Sequence, residues 1–262
     1  MGRADASHFE GEGRRWGTKM RRCRLCQEEK TLCDSHIVSE FLHQPLYNEK
    51  GHMMGISGRG NKGWKPLQKG LREHLFCTDC EQHFNEHYEK PFRAQWCVTA
   101  PLPNPWTEPD VYWVNMDYAT FKLFHLTTLF RASVSSLPTY SAVDLGPHEE
   151  RLRNMLRDQD PGQFWQYPIM GQVVIHHKTG RVIDMITWPE MFKDHDGRRC
   201  YRMLYAGVEW SILVTSQCSP EFEKVSLQDD GRMPLCVVPW NEVTAIQDAS
   251  RALSKRNPQP DE

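Results

Sequence analysis

The chain has no apolar run approaching the roughly twenty residues of a membrane span, and its polar, Gly/Arg-rich first residues hold no apolar segment of secretory type. Both absences predict a protein that is not membrane-bound and that resides in a reducing cytoplasm. Charge of one sign is also lacking: the formal net charge is −2 at pH 7, so the overall balance implies no polyanionic partner. No internal repeat and no long low-complexity tract is present. The phosphate-cradling loop, the G-x-S-x-G elbow and H-E-x-x-H are all missing. The zinc deaminase pattern fails as well. It requires His-x-Glu before Pro-Cys-x-x-Cys, whereas His36 is followed by Glu only at position 40 and Phe76 precedes Cys77. A hydrophobic content of 39% with nine Trp excludes global disorder, and 262 residues suit one large domain or two small ones.

Cysteine is plentiful, with nine in the chain, an odd number. Under reducing conditions Cys-x-x-Cys pairs mean metal or redox chemistry more often than disulfides. Cys23 and Cys26 form one such pair and Cys77 and Cys80 a second. Two knuckles at this separation can close a tetrahedral zinc site, and four cysteines leave no open position, so the ion would be structural. A unit this small would draw folding energy from the metal. The competing readings are buried thiols without metal, or a mixed site in which Cys33, His83 or His87 replaces one cysteine.

The pattern predicts an α+β chain, with a small zinc-bound unit of ββα type ahead of a mixed α+β domain with antiparallel strands. Residues 1–20 read as a flexible arm, 21–100 as the zinc unit, 101–254 as the second domain and 255–262 as a disordered tail. The four prolines in 101–110 mark the boundary. Gly-rich residues 51–64 predict a long mobile loop, and 73–77 a short strand entering the second knuckle. A helix follows Cys80 and is expected to stop at Pro91. Residues 117–136 predict a core helix, and 147–157 a shorter charged one. Beyond them come a hairpin turning at Thr179-Gly180, a second strand pair in CYRMLYAG and VEWSILVTS, a strand in PLCVVPW, and a last helix over 240–254.

A knuckle, then His36 with Ile37 and Val38, then a loop, then a second Cys-x-x-Cys opening a helix resembles the zinc-stapled HNH endonucleases, also called ββα-metal or His-Me finger enzymes. The resemblance covers residues 21–92. It implies that His36 is a general base taking a proton from the water that attacks phosphorus, and that a divalent ion, Mg²⁺ or Mn²⁺, stabilises the leaving oxygen. Glu81 stands where the family places a His or Asn ligand, and a carboxylate suits Mg²⁺. Arg72 stands where the family has its middle Asn, and Glu73 beside it could take that role. Glu81, Asn85 and Glu89 recur every four residues and would share one helix face toward an ion, or equally toward solvent. The rest of the chain is similar to bacterial proteins carrying the same front end, and many stand-alone bacterial HNH proteins are phage- or defence-related.

Two acid-free basic runs flank the cysteines. One spans residues 14–24. The other is Arg59, Lys62, Lys65, Lys69 and Arg72. They read as phosphate contacts or as solvated loop faces, with Trp16 or Trp64 available to stack on bases. Two functions follow: an endonuclease acting on DNA or RNA, or a non-catalytic zinc module that docks nucleic acid or protein. Residues 105–254 could engage a partner protein or a second copy.

Overall fold

The computed structural model describes residues 20–55, 65–67, 70–99, 101–108, 110–217, 220–244 and 246–247. The arm at 1–19, most of the basic loop (56–64 and 68–69) and the tail from 248 onward lie outside them.

The N-terminal strands are β1 Arg21–Arg22, β2 Glu29–Lys30 and β3 Leu32–His36. The short helix α1 Glu40–His43 follows, then β4 Met53–Gly55, β5 Lys65–Leu67 and β6 Arg72–Cys77. A long helical stretch comes next: α2 Thr78–Phe84, a wide π turn over Asn85–Glu89, α3 Lys90–Phe92 and a second π turn over Arg93–Val98. Then come β7 Val111–Asn115, α4 Tyr118–Val134, α5 His148–Asp158, β8 Ile169–Ile175, β9 Glu190–Lys193, β10 Arg199–Tyr205, β11 Val208–Leu213, α6 Pro220–Glu223 and β12 Arg232–Pro239. The fold is mixed α+β, as the sequence predicts.

Three small antiparallel pairs, β1–β2, β3–β6 and β4–β5, belong to the N-terminal part. The remaining strands form one six-stranded sheet, in the order β7-β12-β8-β11-β10-β9. Its pairings are antiparallel except for β12 with β8. The β10–β11 hairpin turns on Ala206 and Gly207, both at positive φ (52° and 80°). That mirror-image turn matches the twist of the strands it joins. The predicted hairpin at Thr179-Gly180 also turns there, but its second arm forms a single bridge, Ile175 to Val182.

Pro91 does not end the helix that follows Cys80. Helical structure continues to Val98, widened into π turns immediately before and after α3, which contains the proline. Proline costs a helix one donor and crowds the preceding turn, and a local π widening absorbs such a defect without breaking the rod.

Helix α4 is the centre of the molecule. The Asp117 carboxylate caps it by accepting from the Thr120 amide at 2.9 Å. On one side Phe124 meets Phe41 (ring centroids 5.9 Å) and Phe130 meets Phe76 (6.2 Å), both from the cysteine-bearing part. On the other side Phe121 and His125 lie against Trp210 of the large sheet, at 5.6 and 4.3 Å. Trp96 closes the layer by packing on Trp210 and donating to the Ala206 carbonyl. One continuous apolar core therefore runs from Cys23 to Leu235, across the predicted boundary at 101–110. Among the described residues no helix is long and apolar enough to cross a membrane.

Candidate metal centre and active site

The first knuckle is built between β1 and β2. The Cys23 amide donates to the Glu28 carbonyl and the Gln27 amide to the Cys23 carbonyl, a tight turn that puts Gln27 at φ 63°. The Arg24 amide donates to Leu75 of β6 at 2.9 Å, which ties this knuckle to the second one. Cys77 ends β6 and Cys80 sits in the first turn of α2. Four sulfur atoms converge as a result: those of Cys23, Cys26, Cys77 and Cys80 all lie within 4.8 Å of one another. The Cys26–Cys77 separation is 3.9 Å. Tetrahedral zinc with bonds of about 2.3 Å requires sulfurs about 3.8 Å apart, so the donor set fits a structural zinc ion.

A hydrogen bond from Cys80 is the main cause that pulls the Cys23 thiol down to about 4, and the same bond pushes Cys80 up. One thiolate is thus already favoured in the cluster, and a bound cation would favour all four. Cys33 and His83 are not part of it. Cys33 faces the Thr78 hydroxyl, and His83 lies against the Leu156 carbonyl.

His36 closes β3 opposite Arg72, the first residue of β6. Cross-strand neighbours share a face, and the Arg72 Nε donates to His36 Nε2 at 2.8 Å while its Nη1 reaches Asp34 at 3.3 Å. After the strand the chain turns through Ile37-Val38-Ser39 into α1, which folds Glu40 back onto His36. The Glu40 Oε2 lies 2.5 Å from His36 Nε2, and the Tyr47 hydroxyl donates to Glu40 Oε1 at 3.0 Å. His36 Nδ1 has no hydrogen-bond partner among the described residues. Burial first, and then the charge of Arg72, hold the His36 imidazole below its ordinary range, with Glu40 opposing. At neutral pH it is therefore unprotonated, as a general base must be. His43 packs beside it, ring centroids 6.3 Å apart, with Nδ1 on the Ser39 carbonyl.

Arg131 projects from α4 into the same region and is only 2% exposed. Its guanidinium pairs with Glu89 at 2.7 Å and Glu81 at 3.5 Å, and lies over the Phe84 ring at 4.9 Å. The Ser39 hydroxyl donates to the same Glu89 oxygen at 3.0 Å, which links this group to the His36 segment. Glu81 Oε1 is buried with no partner.

The predicted site residues therefore separate. His36 and Arg72 come together. Glu81 and Glu89 also converge, but on Arg131, with Asn85 on the turn between them. Beyond the cysteines, no three Cys, His, Asp or Glu ligands converge there among the described residues. Glu73 does not join His36. Adjacent strand residues point to opposite faces, and Glu73 is held by Ser135 and Ser136 at 2.5–2.9 Å, at the end of α4. Arg59, Lys62, Lys69, Trp16 and Trp64 lie outside the described residues, and Lys65 opens β5. Glu40, Tyr47 and Arg131 escaped the sequence reading. A cation inside the apolar run of α4 was the available signal for Arg131, since such a residue needs a buried partner.

Comparison with protein-family models, with curated proteins and with solved structures finds no match.

Proposed function

We infer that the chain is a hydrolase of phosphodiester bonds in nucleic acid, DNA in the first instance, with His36 as general base. The observation that carries this reading is a neutral, half-buried imidazole whose Nε2 accepts from Arg72 beside the Glu40 carboxylate and whose Nδ1 is engaged by no described residue. Water would lose a proton to His36 as its oxygen bonds to phosphorus. The P–O ester bond would break, and the departing oxygen would take a proton from solvent.

Asp34, Glu40, Glu81 and Glu89 outnumber Arg72 and Arg131 here, so a phosphate entering alone would meet excess negative charge. Mg²⁺ or Mn²⁺ would remedy this and stabilise the leaving oxygen. The partnerless Glu81 Oε1 suits a ligand to such an ion, with Asn85 one turn on. Glu89 is committed to Arg131 and Ser39. Mg²⁺ commonly takes one or two carboxylates, with waters and substrate phosphate completing its shell. Exposed Arg21, Arg22 and Arg24 on the first knuckle offer contacts for flanking phosphates.

A second reading has its own observation. The Arg131 pairs with Glu81 and Glu89 could serve only to pin α2 to α4, leaving a zinc module that docks nucleic acid or protein without cleaving it. Variants separate the two. For a hydrolase, His36→Ala and Glu81→Ala abolish cleavage at unchanged zinc content and binding. For a docking module both are silent, and replacing Arg21, Arg22 and Arg24 with Ala weakens binding in a salt-dependent way.

A further inference from the structure

We propose that the rim formed by His176, His177 and Trp240, with Lys178 and Arg181 beside it, is a binding surface for single-stranded nucleic acid. Unpaired bases stack on the His177 and Trp240 rings, and the two cations hold the neighbouring phosphates. The surface shares no residue with the His36 site and requires no cleavage there.

The sheet topology brings these residues together. Strands β8 and β12 run parallel, with Ile175 opposite Pro239 at their last paired positions. The residues that follow, His176-His177 and Trp240, therefore emerge side by side at one end of the large sheet. The Trp240 indole N–H donates to His177 Nδ1 at 3.1 Å. The donor hydrogen and the acceptor lone pair lie in the planes of their rings, so this bond sets the two rings edge to edge. Their planes differ by 27° and their centroids lie 6.2 Å apart. The His176 ring runs nearly parallel to both, at 12° and 16°. It belongs to the more buried histidine, and its Nδ1 is buried with no partner. His177 is exposed and Trp240 half-buried, so the accessible ring surface is theirs.

The turn that carries the histidines is pinned. The His176 amide donates to the Arg181 carbonyl at 2.8 Å, and the His176 carbonyl accepts from the Gly180 amide at 2.8 Å. The Gly180 carbonyl accepts from the Trp106 amide at 2.7 Å. Such a turn presents its side chains with little left to order on binding. Lys178 and Arg181 are exposed on it, and neither side chain has an ion pair or hydrogen bond among the described residues. Arg72, Arg131, Arg153, Arg198 and Arg202 are by contrast each held by a carboxylate. Glu242, two residues past Trp240, is the one acid near Trp240 in sequence, so cations are in excess here. A flat aromatic surface can meet the π face of any base, and cations beside it meet the backbone; that combination recognises single strands without sequence preference. A duplex keeps its base faces stacked on one another and would offer this surface only phosphates.

The test measures binding of a fluorescent oligothymidylate of about twenty nucleotides to the full-length, zinc-loaded protein without Mg²⁺, by anisotropy, beside a duplex of the same length. Trp240→Ala and His177→Ala should each weaken single-strand binding about 10-fold and leave duplex binding unchanged, at wild-type zinc content and far-UV circular dichroism. Trp240→Tyr keeps a ring and should retain most of the affinity. Replacing Lys178 and Arg181 together with Ala should lower the slope of log affinity against log salt by about 1.4, the share of two phosphates on a single strand. Oligothymidylate should also quench the Trp fluorescence of wild type more than that of Trp240→Phe, a readout that survives if Trp240→Ala folds poorly. Single-strand affinity unchanged in both alanine variants, equal losses for strand and duplex, or equal quenching in wild type and Trp240→Phe would each overturn the proposal. His36→Ala should bind as wild type does, so the hydrolase reading and this surface stand or fall separately.

Discussion

At the scale of single residues, buried charge is what distinguishes this protein. Arg131 lies in an apolar layer and is tolerated because Glu89 and Glu81 meet it. Replacing it with methionine keeps the volume but strands two carboxylates, and breaking a buried pair from one side costs about 3–5 kcal/mol. Denaturant unfolding of Arg131→Met should show a loss of that size, and Arg131→Met with Glu89→Gln should recover part of it. Glu73 makes a second, pH-dependent contribution. Burial works to raise its carboxyl, but hydrogen bonds from Ser136 and Ser135 outweigh burial and hold it below the ordinary range. A folded-state value below the unfolded one stabilises the protein above the unfolded value, about 4.3, and that stability is lost as pH falls through the folded value. Wild type should therefore be more stable than Glu73→Gln at neutral pH, and the gap should narrow in acid melts below about pH 4.

At the scale of elements, local patterns were legible where a covalent or periodic constraint acts within a few residues. The Cys-x-x-Cys spacings located both knuckles, and apolar periodicity located α4 and α5 to within two residues. Two features escaped because their causes are not local. The helix after Cys80 continues through Pro91 because tertiary packing of Tyr88, Phe92 and Trp96 rewards continuation more than the proline penalises it. Strands β7 and β9 went unread because each lies at an edge of the sheet with much of its length exposed, so burial leaves a weak mark on its sequence. Helix α5 carries a correctable flaw. Its C-terminal Gln159 is exposed and left-handed, at φ 57°, a conformation costing a non-glycine residue about 1 kcal/mol. Gln159→Gly should raise the melting temperature by about 2 °C, and an unchanged or lowered value would mean the side chain makes a compensating contact.

At the scale of the whole molecule, the cysteine cluster and the large sheet share one core through α4. The sequence suggested a divided chain because prolines cluster at 101–110, whereas the continuity resides in rings far apart along it, such as Phe41 with Phe124 and Trp96 with Trp210. The arrangement of the candidate site was hidden for the same reason: Arg131 reaches Glu81 and Glu89 from another helix, some forty to fifty residues on. Shared packing would make a metal bound by the four cysteines and the fold one system. Removing metal with a chelator, or replacing Cys77 with Ser, should lower a single unfolding transition seen by Trp fluorescence and by far-UV circular dichroism together. Two separate transitions, with the Trp96–Trp210 signal retained, would mean the sheet stands without the metal unit.

The most direct test of the central claim is cleavage of supercoiled plasmid DNA by the zinc-loaded protein with Mg²⁺ or Mn²⁺, beside His36→Ala of equal zinc content. The account predicts nicked and linear products from wild type and none from the variant. Intact plasmid in both lanes, or equal cleavage in both, would contradict it.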